Sequence, residues 1–445
     1  MDPLPLELQH LICSFLDQED ICDFRLVCRT FSDIGANFIF QELTVHLHAN
    51  DLHQLRHVAE RYPKCVRAII YRCDTLRDDV SFENLEGHHQ DLMRVSYRKR
   101  RVGLTSDLSF LYTEYTKALE IHKRMVDSRD DFRCFAEVFA KLLNLRHITI
   151  TSDSCFFEAS SLPVGRNPFD HVSSKFIGEH HPKGCRNIDV VLSALQTAAT
   201  ELDTLRAGHI HWYFIERNLE LLQQPPVSLT RLKHLELVFE GGTKAGEESR
   251  TCHPTMKSGI LRRFLSSLPH LEVLNLDFGW GPMGDTYHAS IDDIIAADHT
   301  WQRLNSLALR VLEDGRQDFM AVLNRHKDTL KEICLMDIRL NTMSLPELLA
   351  QIRCNLKLDY ACICGFITGK ADTEGNQVWE IRTHDRNKRW HRISNYCCRG
   401  SGSPMEGVCP LSKKWKKSSF KSRDRIKYDS IDEWETRFIE SPSEI

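Results

Sequence analysis

The sequence has no apolar run near the 18 residues that a membrane-spanning helix needs, so a membrane protein is not expected. Glycine and proline are scarce, with 21 and 15 among 445 residues, which argues against collagen-like and wholly disordered chains. Neither sign of charge is in large excess, since 58 Lys and Arg face 62 Asp and Glu for a net charge of -4. This balance gives no overall attraction to nucleic acid or acidic lipid.

A secretory leader is not expected, and N-glycosylation acceptors are missing. Asp2, Pro3, Pro5 and Glu7 interrupt the start of the chain, and no Asn is followed two positions later by Ser or Thr. We therefore expect a cytoplasmic or nuclear location, or both. In such a reducing setting the 16 cysteines would be free thiols rather than disulfides.

Signatures of catalysis, metal binding and cofactor binding are absent as well. The Gly365–Lys370 segment is one residue too short for a phosphate-binding loop and lacks the Ser or Thr that should follow its lysine. The sequence contains neither H-E-x-x-H nor G-x-S-x-G, and no cysteine pair has the two-residue spacing of structural zinc sites. We predict a non-catalytic chain with no metal site and no cofactor.

The first forty residues carry the densest pattern in the chain. Apolar residues at positions 8, 11, 12, 15 and 16 have the spacing of one helical face, and Pro5 suits a first helical turn. Asp17 can cap a second helix, with Asp20 near the positive end of that helix. Three short helices bury their own apolar surface poorly. This unit must therefore lean on the rest of the chain, on a partner, or on both.

These residues resemble a known family. The segment opens with Leu-Pro-Leu-Glu at residues 4–7, continues through Ile12, Phe15 and Asp20, and closes with Arg-Leu-Val-Cys-Arg-Thr-Phe at residues 25–31. In this order the residues resemble an F-box, with Phe31 where many members have Trp. The resemblance implies docking onto the Skp adaptor of a cullin–RING (SCF) ubiquitin ligase. The alternative is an amphipathic helical cap that closes the end of a repeat array.

The resemblance also implies which side chains would contact the adaptor. The expected apolar contacts are Leu4, Pro5, Leu8, Ile12, Leu16, Ile21, Leu26 and Val27. Glu7 and Asp20 would lie at the polar margin of this patch. The F-box would occupy residues 1–42.

A leucine pattern recurs beyond residue 40. Residues 229–237 and 268–276 both have the form L-x-x-L-x-x-L-x-L, residues 301–309 differ in their opening Trp, and residues 142–150 carry Ile at two positions. Weaker copies place strand openings at 43, 69, 208 and 333. Openings at 43 and 69 are 26 residues apart, and leucine-rich repeats run at about 20–29 residues.

Amphipathic helical patterns precede several of these strands, as at residues 132–142, 260–268 and 319–323. We therefore predict an α/β fold: a short helical F-box followed by an irregular leucine-rich-repeat (β/α horseshoe) solenoid at residues 43–360. An ordinary α/β domain with buried strands is the alternative. The combination of F-box and irregular repeats resembles fungal F-box substrate receptors.

Side chains alternate along a strand, so the residues between the repeat leucines should face the concave side of a solenoid. Candidates for contact with a target protein there, or on adjoining loops, are His234, Glu236, Asn275, Asp277, Trp280 and Arg310. Each of these positions also fits a side chain that is merely solvated.

Two segments break the array, a basic one at residues 82–108 and one rich in Ser, Gly, Pro and His at 152–187, and both are expected to be loops. Residues 361–410 are predicted to form a C-terminal cap with a hairpin of Gln377–Ile381 and Arg389–Ile393. Residues 411–445 would be a charged tail. Its basic run at 413–427 fits a nucleic-acid patch, but a solvated tail is the favoured interpretation.

These patterns predict a substrate-recognition subunit of an SCF ubiquitin ligase, a protein-binding component of the ubiquitin conjugation pathway. Its partners would be the Skp adaptor, a cullin through that adaptor, and a target protein that the sequence does not identify. The alternative is a leucine-rich-repeat scaffold or binding protein without a role in ubiquitin transfer.

Overall fold

A computed structural model of the chain describes residues 4–73, 75–76, 80–83, 108–151, 177–178, 183–211, 213–223, 227–240, 254–278, 289–370, 376–381, 389–398 and 411. The chain divides into two compact units, of which the first ends at residue 200 and the second begins at residue 201. None of the helices in the described ranges combines the length and apolar composition that crossing a bilayer requires.

The first unit begins with three helices, α1 (Leu6–Cys13), α2 (Gln18–Val27) and α3 (Arg29–Ile39). Its described parallel strands are β1 (Glu42–His46), β2 (Ala68–Arg72) and β4 (His147–Thr151). A short antiparallel pair consists of β3 (Thr75–Leu76) and β5 (Ile177–Gly178). The remaining described helices are α4 (Ala49–Arg61), α5 (Leu108–Ser128), α6 (Asp130–Lys141) and α7 (Lys183–Ala198).

Apolar rows run across the parallel strands of the first unit. Leu43 pairs with Ile69, and Ile69 pairs with Ile148, so that three buried side chains lie side by side. β-branched residues suit this arrangement because their stiff side chains pack well on a pleated surface. Helix α6 covers the core with Phe135 and Phe139, both of which are buried.

A buried ion pair ties α6 to α7. Asp131, in the first turn of α6, is fully buried. Arg186 donates two hydrogen bonds to its carboxylate, at 2.6 and 2.9 Å, and a third at 3.1 Å to the carbonyl oxygen of Val126. The two-pronged geometry satisfies both carboxylate oxygens, which a buried charge needs in order to be tolerated.

Tyr71 in β2 is expected to be more stable as phenylalanine. Its ring is fully buried edge-on against Phe135, with the centroids 4.8 Å apart, and burial raises the pKa of its phenol well above 10. Among the described residues, its hydroxyl has no hydrogen-bond partner. Because an unsatisfied buried hydroxyl is destabilising, Tyr71→Phe should raise the free energy of unfolding by about 1 kcal/mol in urea titrations. A loss of stability would show that the hydroxyl binds an internal water.

The second unit contains a larger sheet. Its described strands follow one another in chain order and pair in parallel, except for antiparallel β14. They are β6 (Thr204–His211), β7 (His234–Glu240), β8 (Val273–Asp277), β10 (Ser306–Arg310), β12 (Glu332–Met336), β13 (Tyr360–Lys370) and β14 (Asn376–Ile381). A separate short parallel pair consists of β9 (Ala289–Ser290) and β11 (Leu312–Glu313).

Helices lie between the strands of the second unit and after the last of them. They are α8 (Tyr213–Arg217), α9 (Leu219–Gln223), α10 (Ile260–Ser266), α11 (Ile291–Ile294), α12 (Phe319–Arg325), α13 (Leu345–Asn355) and α14 (Arg389–Cys397), with a 3-10 turn at Val227–Leu229. The best-capped helix is α13, in which the side chains of Ser344 and Glu347 each bond the other's backbone N–H. Helices α6, α10 and α12 lie where amphipathic patterns predict them.

The repeated leucines lie where the pattern places them, in buried rows across neighbouring strands. Leu235 is aligned with Leu274, and Leu274 with Leu307. The strand opening predicted at residue 208 is wrong, because the strand begins at Thr204 and Leu205 is the partner of Leu235. The β6–β7 pairing shifts between Ala207 and Ile210, an irregularity that a fixed repeat template does not anticipate.

The predicted C-terminal hairpin is also wrong. Residues 389–397 form helix α14, and β14 instead pairs antiparallel with β13. Ile393 and Cys397 are both buried, at a helical spacing of four residues that competes with the strand alternation of Arg389–Ile393. Strand β13 begins at Tyr360 and so crosses the boundary predicted between residues 360 and 361. The division into domains otherwise stays a prediction.

Much of the two predicted loops lies outside the described residues. In the first, residues 84–107 are outside, and in the second, residues 152–176 and 179–182 are outside. Helix α7 begins at Lys183, inside the segment 152–187 that was predicted to be a loop. Residues 412–445, almost the whole predicted tail, are outside as well.

A buried histidine joins two parts of the second unit. His326, just after α12, accepts a hydrogen bond at Nε2 from the backbone N–H of Trp301 (3.1 Å). Its other ring nitrogen therefore carries the proton and donates to the carbonyl oxygen of Val322 at 2.9 Å. The neutral ring satisfies both contacts, and burial, reinforced by Arg325 and His299, lowers the pKa of His326 below 6.5 although the Val322 bond opposes this.

We expect the free energy of unfolding to fall as the pH drops below 6.5. Above that value His326 is neutral in both states; below it the unfolded chain binds a proton that the folded chain binds less well. Burial also lowers the pKa of His299, which adds in the same direction. Urea titrations at pH 7.5 and 5.5 should give the lower free energy of unfolding at pH 5.5. His326→Gln, which keeps an acceptor but does not titrate, should reduce the difference; an unchanged pH dependence would contradict this.

Candidate docking surface on the N-terminal helices

Helix α1 presents its apolar stripe outward, the reverse of an ordinary surface helix. Pro5 is the N-cap of α1, and Gln9 and Cys13 occupy its buried face. Gln9 Nε2 reaches the carbonyl oxygen of Leu4 at 2.6 Å. The apolar residues at 8, 11, 12 and 15, which share the predicted helical face, are exposed.

Helix α2 begins as its sequence predicts. The side chain of Asp17 accepts a hydrogen bond from the backbone N–H of Asp20 at 2.9 Å. Ile21 then turns inward, where it joins Cys13 and Ile34 in a small core. Half-buried residues pack around this core: Leu16, Phe24, Phe31, Phe38 and Ile39.

Phe24 and Phe31 stack with their ring centroids 4.1 Å apart, which binds α2 to α3. The backbone N–H of Phe31 also donates to the Cys28 sulfur at 3.5 Å, so that this cysteine caps α3. The core of the three helices is therefore small, and three of its eight residues are phenylalanines. It leaves the outer faces of α1 and α2 without cover from this cluster.

The exposed apolar side chains of α1 and α2, with Leu4 just before α1 and Phe15 just after it, form what we call the docking surface. Its members are Leu4, Leu6, Leu8, Leu11, Ile12, Phe15, Leu26 and Val27. Leu26 is 84% exposed and Phe15 is 81% exposed, unusual values for such large apolar residues. A concentration of this kind is typical of a protein-binding site.

Most of the expected adaptor-contacting side chains are accessible. Leu4, Pro5, Glu7, Leu8, Ile12, Asp20, Leu26 and Val27 are exposed. Leu16 is half-buried, and Ile21 is only 7% exposed, so the prediction that Ile21 is available for contact is wrong. Leu6, Leu11 and Phe15 were missing from the expected set, although Leu11 and Phe15 belong to the same helical stripe as Leu8.

Acidic side chains lie on the same two helices as the docking surface. Glu7 on α1 and Glu19, Asp20 and Asp23 on α2 are all exposed. Two of them, Glu19 and Asp20, lie in the first turn of α2, where negative charge stabilises a helix. A partner that covers the apolar centre would meet these carboxylates at its margin.

The second set of candidate residues lies on strands of the second unit, and its charged members are paired with side chains of neighbouring strands and of the segments just after them. Arg206 Nε donates to Glu236 at 2.7 Å, and Asn275 Nδ2 donates to the same carboxylate at 2.6 Å. Glu236 is nearly buried, and His234 beside it is half-buried. Trp280 lies outside the described residues.

Arg310 is likewise paired with carboxylates. Its Nη1 donates to Asp277 at 2.8 Å and its Nε to Asp337 at 3.4 Å. Burial opposes the charge of Arg310, but the two carboxylates raise its pKa above its ordinary value. Asp337 also accepts from the backbone N–H of Phe366 at 2.8 Å. Much of the hydrogen-bonding capacity of these residues is therefore used inside the fold.

The same face of the sheet ends in thiols. Cys334 is aligned with Cys362, whose sulfur lies 3.6 Å from that of Cys364, and all three are buried. Hydrogen bonds with Cys334 and Cys364 lower the pKa of Cys362. Nowhere in the described ranges do three His, Cys, Asp or Glu side chains form a group suited to a metal ion. Twelve cysteines of the described ranges are free thiols.

Comparison with known proteins matches residues 1–46 to the F-box-like family model. No curated protein matches the chain. The matched segment contains α1–α3 and ends at His46, the last residue of β1. F-box domains bind the Skp adaptor and, through it, a cullin, and F-box proteins are typically non-catalytic adaptor subunits. The match covers 46 of 445 residues and so characterises the N-terminal segment alone.

Proposed function

We propose that this chain is the substrate-recognition subunit of an SCF-type ubiquitin ligase. The docking surface would bind the Skp adaptor, and a cullin would join through that adaptor. One observation carries the proposal: a segment that matches the F-box-like family exposes eight large apolar side chains that its own small core does not cover. Such a surface is expected to need a protein partner.

The chain would contribute proximity rather than chemistry. Holding a target protein near a ubiquitin-charged enzyme raises the effective concentration of the target's lysines, and that alone accelerates transfer. No catalytic side chain or cofactor of this chain takes part. The expected location, cytoplasmic or nuclear, is part of the same proposal.

We place target binding on the strand-bearing second unit, with His234, Glu236, Asn275, Asp277 and Arg310 near the contact. The ordered parallel strands and their buried leucine rows support the interpretation of this region as irregular leucine-rich repeats. Because Arg310 is buried against two carboxylates whereas His234 is half-exposed, we expect His234 to contribute more to binding than Arg310 does.

Reconstitution tests the proposal. The purified chain and recombinant Skp adaptor should elute together as a complex in size-exclusion chromatography, and a truncated chain that begins at Gln41 should not bind. Failure of the full chain to bind would contradict the ligase role. It would favour the alternative of a repeat scaffold without ubiquitin transfer. Equal binding by the truncated chain would show that the docking surface is not the contact.

A further inference from the structure

Arg25 connects the N-terminal helices to the rest of the first unit. Its guanidinium carbon lies 5.0 Å from the ring centroid of Phe40 and 5.5 Å from that of Tyr62. Its Nη2 donates to the Tyr62 hydroxyl at 2.9 Å, and its Nε donates to the carbonyl oxygen of Ser32 at 3.3 Å. One side chain of α2 thus contacts both ends of α3 and the residue that ends α4.

The connection between α3 and β1 is short, and surrounding contacts hold it in place. Helix α3 ends at Ile39 and β1 begins at Glu42, so two residues separate helix from strand. The carbonyl oxygen of Gln41 accepts hydrogen bonds from the backbone N–H groups of Arg67 and Ala68, at 2.8 and 3.0 Å. The rings of Phe40 and Tyr62 stack with centroids 4.6 Å apart. Few backbone torsions are therefore free to bend there.

The packing of α2 against α3 is built around the arginine. Gly35 in α3 faces Arg25 so closely that a Cβ atom at this position would overlap the Arg25 Cγ atom. Only a planar guanidinium can stack on aromatic rings and donate sideways at the same time, so lysine would not replace it. Arg25 is half-buried and is not a member of the docking surface.

We propose that Arg25 is a positioning residue, which fixes the direction of the docking surface relative to the sheet of the first unit. This inference rests on the proposed function. A receptor whose docking helices swing freely would spread its cargo over a larger volume and lower the effective concentration at the ubiquitin-charged enzyme. Loss of the arginine should therefore leave adaptor binding intact but slow transfer.

The geometry is tested on the full chain by single-molecule energy transfer. Dyes attached through azidophenylalanine at Glu19 on α2 and His53 on α4, both exposed, would report the distance between these elements. The wild-type chain should give one narrow distribution of dye-to-dye distances. Arg25→Ala and Gly35→Ala should both broaden it, and exposed Arg124→Ala on α5 should not. A broad wild-type distribution, or an unchanged one in Arg25→Ala, would overturn the inference.

Binding and transfer are then measured separately. In Arg25→Ala, the Kd for the Skp adaptor should stay within about twofold, while ubiquitin conjugation at saturating adaptor should slow about threefold or more. Tyr62→Phe keeps the stacking but loses one hydrogen bond. Its conjugation rate should lie between those of the wild-type chain and Arg25→Ala. Equal conjugation rates would contradict the inference alone. Absence of adaptor binding by the wild-type chain would instead contradict the proposed function, and the dye measurement would still decide the role of Arg25.

Discussion

Leu8→Asp is expected to weaken binding of the Skp adaptor by about 100-fold or more while the chain stays folded. In the free protein Leu8 is exposed, so a carboxylate there is solvated and adds little strain. In the complex the same carboxylate would lose its water against an apolar partner, which costs several kcal/mol. Since each 1.4 kcal/mol is about tenfold in affinity, calorimetric titration should detect the loss easily.

Two further variants separate binding from folding. Leu143→Asp changes an exposed leucine outside the docking surface and should leave adaptor affinity within about twofold. Ile21→Asp places a charge in the buried core of the helices and should unfold them. If Leu8→Asp loses its circular dichroism as Ile21→Asp does, Leu8 belongs to the core and the docking surface is misassigned.

Asp131→Ala is expected to reduce the free energy of unfolding by about 3–5 kcal/mol. The substitution leaves Arg186, largely buried between α6 and α7, without the carboxylate that accepts two of its hydrogen bonds. Asp130→Ala is the matched control. Asp130 is the preceding residue, but its ion pair with Arg133 is exposed, so we expect a loss of about 0.5 kcal/mol or less.

A double variant distinguishes an unpaired charge from lost packing. Asp131→Leu combined with Arg186→Met removes both charges, and it should be more stable than Asp131→Ala alone, since no buried ion is left without a partner. Urea titrations of the single and double variants give the comparison. If the double variant is instead less stable than Asp131→Ala, the ion pair itself stabilises the fold, and the loss in Asp131→Ala does not come only from leaving Arg186 unpaired.

Hydrophobic spacing predicts where the N-terminal helices are, but it does not predict which apolar residues are covered. Ile21 and Leu26 are both apolar residues of α2, yet one is buried and the other is almost fully exposed. The difference depends on α3, whose Ile34 reaches Ile21 and not Leu26. Contact between helices is a tertiary property. The spacing of apolar residues along one helix therefore does not predict which of them are buried.

The strands were predictable for a related reason. Rows such as Leu235, Leu274 and Leu307 repeat at each strand, and burial of that row is what the pattern encodes. The polar residues between them follow no such rule. Glu236 was expected to face a target, but it bonds to Arg206 on one neighbouring strand and to Asn275 on the other. Pairing across strands depends on register, which the single chain does not display.

The overlap between the family-matched segment and the sheet limits how this chain could be engineered. Strand β1 belongs to both, and Arg25 depends on Tyr62, which lies beyond the matched residues. A chimera spliced at residue 42 would separate β1 and Tyr62 from the helices they support. A graft that carries residues 4–72 would retain β1, Tyr62 and β2 with the helices. It is therefore less prone to misfold than the splice at residue 42 when this segment is moved onto a foreign recognition domain.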